Sequence, residues 1–248
     1  MQFIRNKALR FWMDNQKVNK YDLNKYSAVL AKEWTFCDEL NSMARQSSAE
    51  RPWSAIARFY DNCKKKTPGK KGFPQFHKDN RSVEYKTTGW RMAPDRKTIN
   101  FTDKKGVGKL KLKGTRDLHF YQLAQIKRVR LVKRADGYFF QFCVQVDRSE
   151  KIEVTGNAIG LDVGLKEFYT DSNGVAVENP RFLCKGEYRL KKAQRRVSKR
   201  VKGSQNRRKA RVILGKRHLK ISRQGKDFAV KLALRRYPVK RLCRRALI

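Results

Sequence analysis

Twenty-five of the 64 residues from 185 to 248 are lysine or arginine, and only Glu187 and Asp227 oppose them. Charge at that density repels itself, so this stretch cannot close around a wide apolar core. It can fold only as elements with narrow apolar stripes and broad cationic faces, and such a surface calls for a polyanion to neutralise it. Counterion release makes nucleic acid the natural partner. The excess extends through the whole chain, which has 61 Lys and Arg against 22 Asp and Glu and a formal charge of +39. Yet 40% of the 248 residues are hydrophobic and 11% aromatic. That is enough to bury a core elsewhere, so the chain is not a disordered basic tail throughout.

Several classes are set aside by what the sequence lacks. No apolar run approaches the roughly 18–20 residues of a membrane span. The first residues, Met1-Gln-Phe-Ile-Arg-Asn-Lys7, have no apolar core or small-residue cleavage site of a secretory signal. Neither a membrane nor a membrane surface is therefore expected as a partner. Cys37, Cys63, Cys143, Cys184 and Cys243 are scattered, and no two form a Cys-x-x-Cys pair. Reduced thiols, a cytoplasmic location and no zinc are expected. His77, His119 and His218 have no partners at metal-ligand spacing. No nucleophile elbow occurs, and Gly106-Val-Gly108 lacks the Lys-Ser/Thr of a phosphate loop, so a small-molecule substrate is not expected.

Hydrophobic periodicity divides the chain. Residues 3–66 read as helical: Phe11 and Trp12 lie on one segment, Tyr26, Val29, Leu30 and Trp34 recur at helical spacing on a second, and Trp53, Ile56, Ala57 and Tyr60 on a third. These stripes read as packing between helices, with Pro52 in the first turn of the third after Ser47 and Ser48. Pro68, Gly69, Gly72 and a cluster of lysines including Lys70 and Lys71 then make a loop whose charge suits a phosphate backbone. From 73 to 147 the period becomes two, with expected strands at 82–86, 98–102, 109–113, 127–133 and 138–146. Asp136-Gly137 is the expected hairpin turn between the last two. Tyr138, Phe140, Phe142, Val144 and Val146 share one face of the returning strand, while Lys127, Arg128, Arg130, Lys133 and Arg134 decorate its partner, as a basic outer face or as solvated surface. A small antiparallel β-barrel or curved sheet fits this pattern.

Residues 150–157 read as a polar connector. Strands at 158–163, 166–170 and 175–177 follow, reversing at Gly164 and at Asp171-Ser-Asn-Gly174. Two basic amphipathic helices come next. One carries the stripe Leu190, Ala193, Val197, Val201, the other Ala210, Ile213, Leu214, Arg217, Ile221, and Gly203-Ser-Gln-Asn206 joins them as an antiparallel hairpin. A shorter helix over 227–235 is expected after Gly225. The candidate nucleic-acid contacts of this hairpin are Lys191, Lys192, Arg195, Arg196, Lys199, Arg200, Lys202, Arg207, Arg208, Lys209 and Arg211, with Lys70 and Lys71 from the upstream loop.

One carboxylate has a defined setting. In Gly160-Leu-Asp-Val-Gly164, Leu161 and Val163 face one way and Asp162 the other. A strand hairpin opening on an aspartate is how ribonuclease-H-like nucleases present the first ligand of a Mg²⁺ pair. It is also how a carboxylate caps a turn, and a lone one does not hold two ions about 3.5–4 Å apart.

The motifs taken in order resolve this further. Gly72-Phe-Pro-Gln-Phe-His-Lys78, Gly108-Lys-Leu-Lys-Leu-Lys113, the Asp136-Gly137 hairpin, Ile159-Gly-Leu-Asp-Val-Gly-Leu-Lys-Glu-Phe168 and Glu178-Asn-Pro-Arg-Phe-Leu183 lead into Lys191-Lys-Ala-Gln-Arg-Arg-Val-Ser-Lys199 and Lys202-Gly-Ser-Gln-Asn-Arg-Arg-Lys-Ala-Arg211. Over about residues 1–235 the chain resembles the TnpB/OrfB family of insertion-sequence proteins, which act as RNA-guided DNA endonucleases. The resemblance implies an α+β architecture in pieces. A helical recognition region spans 1–66 and an antiparallel β-barrel wedge domain 67–150. The first part of an RNase H-like (RuvC) α/β domain, with its basic helical hairpin, spans 151–235, and 236–248 is an aberrant basic tail. It places Asp162 as the first catalytic aspartate of a Mg²⁺-dependent site, and guide-type RNA and DNA as partners.

The sequence departs from the family at both ends. The resembled proteins continue into a strand ending in a catalytic glutamate, then a four-cysteine zinc module and a final aspartate. Here the acids after Asp162 are Glu167, Asp171, Glu178, Glu187 and Asp227, none in those motifs. The expectation is a chain truncated at its C-terminus and also at its N-terminus, binding DNA and RNA without cleavage and without productively bound Mg²⁺. A nuclease-dead, guide-dependent DNA-binding protein and a structural basic RNA-binding protein are the alternatives.

Overall fold

The computed structural model describes residues 1–147 and 159–236, apart from positions 16, 67, 105, 106, 115 and 116. The connector at 150–157 and nearly all of the 236–248 tail lie outside the described residues. The chain forms two compact units, Met1–Arg134 with Tyr138–Val146, and Ala135–Gly137 with Asp147–Ile248.

The first unit begins with five helices: α1 (Gln2–Asp14), α2 (Lys20–Glu33), α3 (Thr35–Asp38), α4 (Ser42–Glu50) and α5 (Trp53–Lys64). A capping box starts α2. Asn19 Oδ1 accepts from the backbone N–H groups of Tyr21 and Asp22 at 2.7 and 3.1 Å, while Asp22 Oδ2 accepts from Asn19 N–H at 2.9 Å. Ile4, Leu9, Trp12, Leu23, Leu30 and Ile56 meet in one buried cluster. The face that α2 buries is Leu23, Ser27 and Leu30, with Tyr26 stacked on Phe11 at 4.3 Å. Val29 and Trp34, expected on this stripe, are more than 40% exposed. Ser47 and Ser48 lie buried inside α4, where Ser48 Oγ donates to the Ala44 carbonyl at 2.6 Å. Downstream, Phe73 lies edge-on to Phe59 and tilted against Trp12. Gln2 and Asn6 donate to the His77 carbonyl at 2.8 and 2.9 Å, so the extended segment after α5 is pinned onto α1.

Six strands follow, β1 (Ser82–Lys86), β2 (Trp90–Met92), β3 (Thr98–Phe101), β4 (Lys109–Lys111), β5 (Ile126–Arg134) and β6 (Gly137–Val144). They form two three-stranded sheets, ordered β1-β5-β6 and β2-β3-β4. The expected barrel is not formed: among the described residues no ladder closes either sheet on itself or joins the two. Closure needs edge strands long enough to pair onward with a consistent stagger. Here β2 and β4 have three residues each, and a 3-10 turn at Thr87–Gly89 carries the chain out of one sheet and into the other. Tyr85, Trp90, Ile99, Phe101, Ile126 and Val129 make the buried core, with Phe140, Phe142 and Val144 packed on it. Tyr138, at the start of the strand, is 64% exposed, with Lys133 Nζ 5.9 Å over its ring. The hairpin turns one residue earlier than expected, at Ala135-Asp136, and Gly137 opens β6 with positive φ.

Arg128 and Arg130 are not free surface. Both face Glu84 across the β1–β5 ladder, where the register pairs Glu84 with Arg130. Arg128 Nη1 and Arg130 Nε each donate to the carboxylate at 2.9 Å. Burial by itself would raise the Glu84 pKa. The hydrogen bonds from the two guanidiniums and their charge outweigh it and hold the group below its usual 4.5. Glu50 follows the same logic: burial opposes ionisation, but bonds from Lys86 Nζ at 2.6 Å and Asn24 Nδ2 at 2.9 Å bring its pKa down.

The second unit has an antiparallel sheet ordered β7-β8-β9, made of β7 (Leu161–Asp162), β8 (Glu167–Asp171) and β9 (Ala176–Glu178). Two helices follow, α6 (Phe182–Ser198) and α7 (Gln205–Arg236). The helix expected to start after Gly225 is instead the end of the 32-residue α7. A single interior glycine costs a helix only about 1 kcal/mol, and Phe228 beyond it is fixed by edge-to-face contacts with Phe168 at 5.1 Å and Phe182 at 5.9 Å. The β8–β9 turn is held by Asp171 Oδ1, which accepts the backbone N–H of Asn173 at 3.0 Å and of Val175 at 2.8 Å, while Gly174 supplies the positive φ. Asp171→Ala is expected to cost about 1–2 kcal/mol and Asp171→Asn, whose amide oxygen still accepts, much less. Urea unfolding of the two variants measures the difference.

Candidate nucleic-acid interface

The Glu178-Asn-Pro-Arg-Phe-Leu183 motif sets where α6 begins. Asn179 Nδ2 donates to the Leu165 carbonyl at 3.1 Å and its Oδ1 accepts from Arg181 N–H at 3.0 Å. This bridges the β7–β8 loop to the helix entry. Arg181 takes the left-handed conformation, φ +49°, a strained choice for a residue with a Cβ, and the chain enters α6 directly after it. Helices α6 and α7 then run antiparallel. Ala193, Val197 and Ala210 are buried along their seam, and Gly186 lets them approach so closely that a Cβ there would lie 2.7 Å from Ile221 Cδ1. The seam is narrow because 18 of the 49 residues of the two helices are Lys or Arg.

A groove of about 900 Å³ opens along this pair. It is lined by Tyr188, Arg189, Lys192, Ala193, Arg195, Arg196, Lys199 and Arg200 from α6 and the residues just after it, and by Ile213 and Arg217 from α7. Helical spacing explains the gathering. Tyr188, Lys192, Arg195 and Lys199 follow i, i+4, i+7, i+11, and Arg189, Ala193, Arg196 and Arg200 form the adjacent row. Seven cations therefore share one concave surface. Lys192, Arg195, Arg196, Lys199 and Arg200 are the expected contacts that the fold brings together.

The remaining expected contacts divide. Lys191 is ion-paired with Glu187 at 2.9 Å. Arg207 is turned inward: its Nη1 donates to the carbonyls of Val197 and Arg200 at 3.0 and 2.8 Å, closing the C-terminus of α6 as a cap. Lys202, Arg208, Lys209 and Arg211 are exposed but outside the groove lining. Lys70 and Lys71 belong to the first unit, where the Lys71 carbonyl accepts from Asn62 Nδ2 at 3.1 Å. Sequence reasoning missed Tyr188 and Arg189 and placed Arg217 in the apolar stripe. Stepping four residues back from Lys192 and Ala193, and four on from Ile213, would have found all three.

Asp162 ends β7 opposite Thr170 and is exposed, between exposed Leu161 and Val163. The acids of β8, β9, α6 and α7 are engaged elsewhere or face one another. Asp171 holds its turn, Glu187 and Asp227 pair with Lys191 and Lys231, and Glu167 faces Glu178 across β8–β9. Among the described residues no three His, Cys, Asp or Glu side chains converge as metal ligands. One exposed carboxylate does not fit a two-Mg²⁺ centre, because Mg²⁺ gives up its waters reluctantly and demands octahedral oxygen geometry. Cys37, Cys63, Cys143 and Cys184 are free thiols, the first buried and the others exposed. No described helix is long and apolar enough to cross a membrane.

The chain is 28% identical over 248 aligned positions to a Streptomyces pristinaespiralis protein named "Putative RNA-guided DNA endonuclease", an alignment covering 95% of this chain and 58% of that relative. The chain thus spans little more than half the relative's length. Residues 141–235, which include β7–β9 and nearly all of α6 and α7, match the OrfB_IS605 family, described as "Probable transposase". Over that segment, 95 of the 248 residues, the chain is similar to the OrfB_IS605 family.

Proposed function

We propose that this chain binds nucleic acid by its phosphates in the α6–α7 groove, as the binding part of an RNA-guided DNA endonuclease system, and does not itself cut. The observation that carries the reading is the convergence of seven cations on one concave surface, none of them ion-paired among the described residues, where the salt bridges of α6 and α7 use other side chains. Such a surface exchanges bound counterions for phosphates. The similarity to a guided endonuclease supports guide-type RNA and DNA as the two ligands. An aspartate on the first strand of an antiparallel sheet, followed by helices, supports reading the second unit as the opening of a RuvC-like domain. The first unit then takes the recognition and wedge roles.

The non-cleaving half rests on a count of ligands. In-line phosphodiester cleavage by two metals needs oxygens from several segments to clamp the attacking and leaving groups, and Asp162 offers one carboxylate. Purified protein incubated with labelled RNA and DNA in Mg²⁺ is expected to retard both, with no product above background, and Asp162→Ala is expected to bind as the wild type does. Mg²⁺-dependent cutting that Asp162→Ala abolishes would overturn the non-cleaving half.

A further inference from the structure

We infer that Tyr188 makes the α6–α7 groove selective for unpaired nucleotides, RNA or DNA, by offering its ring as a stacking platform for one base. The inference rests on the phosphate-binding reading and goes beyond it, because cations alone do not tell a single strand from a duplex.

A single exposed aromatic on a helix needs no explanation of its own, so the setting decides. Tyr188 is 70% exposed in the middle of α6, and the groove it lines is otherwise walled by Arg189, Lys192, Arg195, Arg196 and the alkyl groups of Ala193 and Ile213. No ring stacks on it within the protein among the described aromatic pairs. Glu187, next to it in the chain, is ion-paired with Lys191 at 2.9 Å. A ring set among cations that track a phosphate backbone is the arrangement by which single strands are held: phosphates meet the cations, and an unstacked base lies on the ring. A duplex keeps its base faces inside its own stack, so it meets the same cations and gains nothing from the ring. From Tyr188 to the end of α6 at Ser198 the helix advances ten residues, about 15 Å, so the ring and the cations lie along one line of the groove.

The test measures fluorescence anisotropy of the 248-residue chain with a labelled single-stranded RNA, a single-stranded DNA and a duplex of equal length, at one fixed salt concentration. Tyr188→Ala is expected to weaken single-strand binding about 5- to 100-fold and to leave duplex binding within about twofold. Tyr188→Phe, which keeps the ring, is expected to bind as the wild type does. A loss on only one of the two single strands supports the inference and names the source of the unpaired nucleotides. Position 188 is exposed and alanine is the better helix former, so the variant is expected to fold, which circular dichroism checks. Equal loss on single strand and duplex, or no loss on either while both still bind, would overturn the role of Tyr188 and leave the groove reading standing. Wild-type protein that binds neither form would remove both.

Discussion

Arg128→Ala combined with Arg130→Ala is expected to lower the stability of the first unit by about 3–5 kcal/mol at neutral pH, with little effect on nucleic-acid binding by the protein that remains folded. The two guanidiniums are about 40% exposed and lose little packing, but Glu84, with a side chain only 7% exposed, would be left buried without the two cations that hydrogen-bond it, with Arg51 the remaining charge acting on it. The pH dependence carries the diagnosis. In the wild type the Glu84 pKa is lowered below 4.5, so its contribution is present above that pH and is lost as pH falls through the folded value. In the double variant the guanidinium hydrogen bonds that oppose burial are gone and Arg51 remains as the cation near Glu84, so the pKa rises and acid neutralises the carboxylate more readily. The gap between wild type and variant is therefore expected to narrow as pH falls from 7 towards 4, and adding Glu84→Leu is expected to restore much of the loss at pH 7. Urea unfolding across that range provides the measurement. A constant gap would mean that the arginines stabilise through something other than Glu84.

Replacing Arg195, Arg196, Lys199 and Arg200 together by alanine is expected to have the opposite profile, with stability kept and affinity lost. All four are exposed and line the groove, and alanine suits the helix positions among them. With a slope of about −0.9 per phosphate on duplex DNA, four lost contacts correspond to about a 10²- to 10³-fold weaker association near 0.15 M salt. Arg207 is left out of this set on purpose. Its guanidinium caps α6 through the Val197 and Arg200 carbonyls, so its removal would loosen the hairpin and mimic a binding defect.

The contrast between these two sets of basic residues shows where sequence reasoning reached and where it stopped. Periodicity located β1, β8 and the α6–α7 hairpin, because a single apolar stripe in a cationic background leaves one choice of inward face. It also placed five of the groove cations, since residues at i+3 and i+4 on one helix share a face whatever packs against it. It did not separate Arg128 from Lys192. That difference lies in Glu84, 44 residues upstream of Arg128, and only the β1–β5 register brings it opposite. The closed barrel failed for a related reason: alternation in 98–102 and 109–113 gives strand character but not strand length or pairing order. Gly225 was overread as a helix end because local propensity outweighed the anchoring of Phe228, a contact that only the fold supplies. Asp162 was located on its strand, and the register adds that it stands opposite Thr170 rather than among other carboxylates.

The central claim, that the α6–α7 groove holds nucleic acid by its phosphates, is tested most directly by the salt dependence of binding. The association constant of the wild-type chain for one duplex should be measured against salt concentration, alongside the Arg195→Ala, Arg196→Ala, Lys199→Ala, Arg200→Ala variant. The wild type is expected to show a steep linear fall of log K with log salt, and the variant a slope shallower by about 3–4 units. Parallel lines, with the variant as salt-sensitive as the wild type, would place the phosphate contacts elsewhere on the protein and contradict the account.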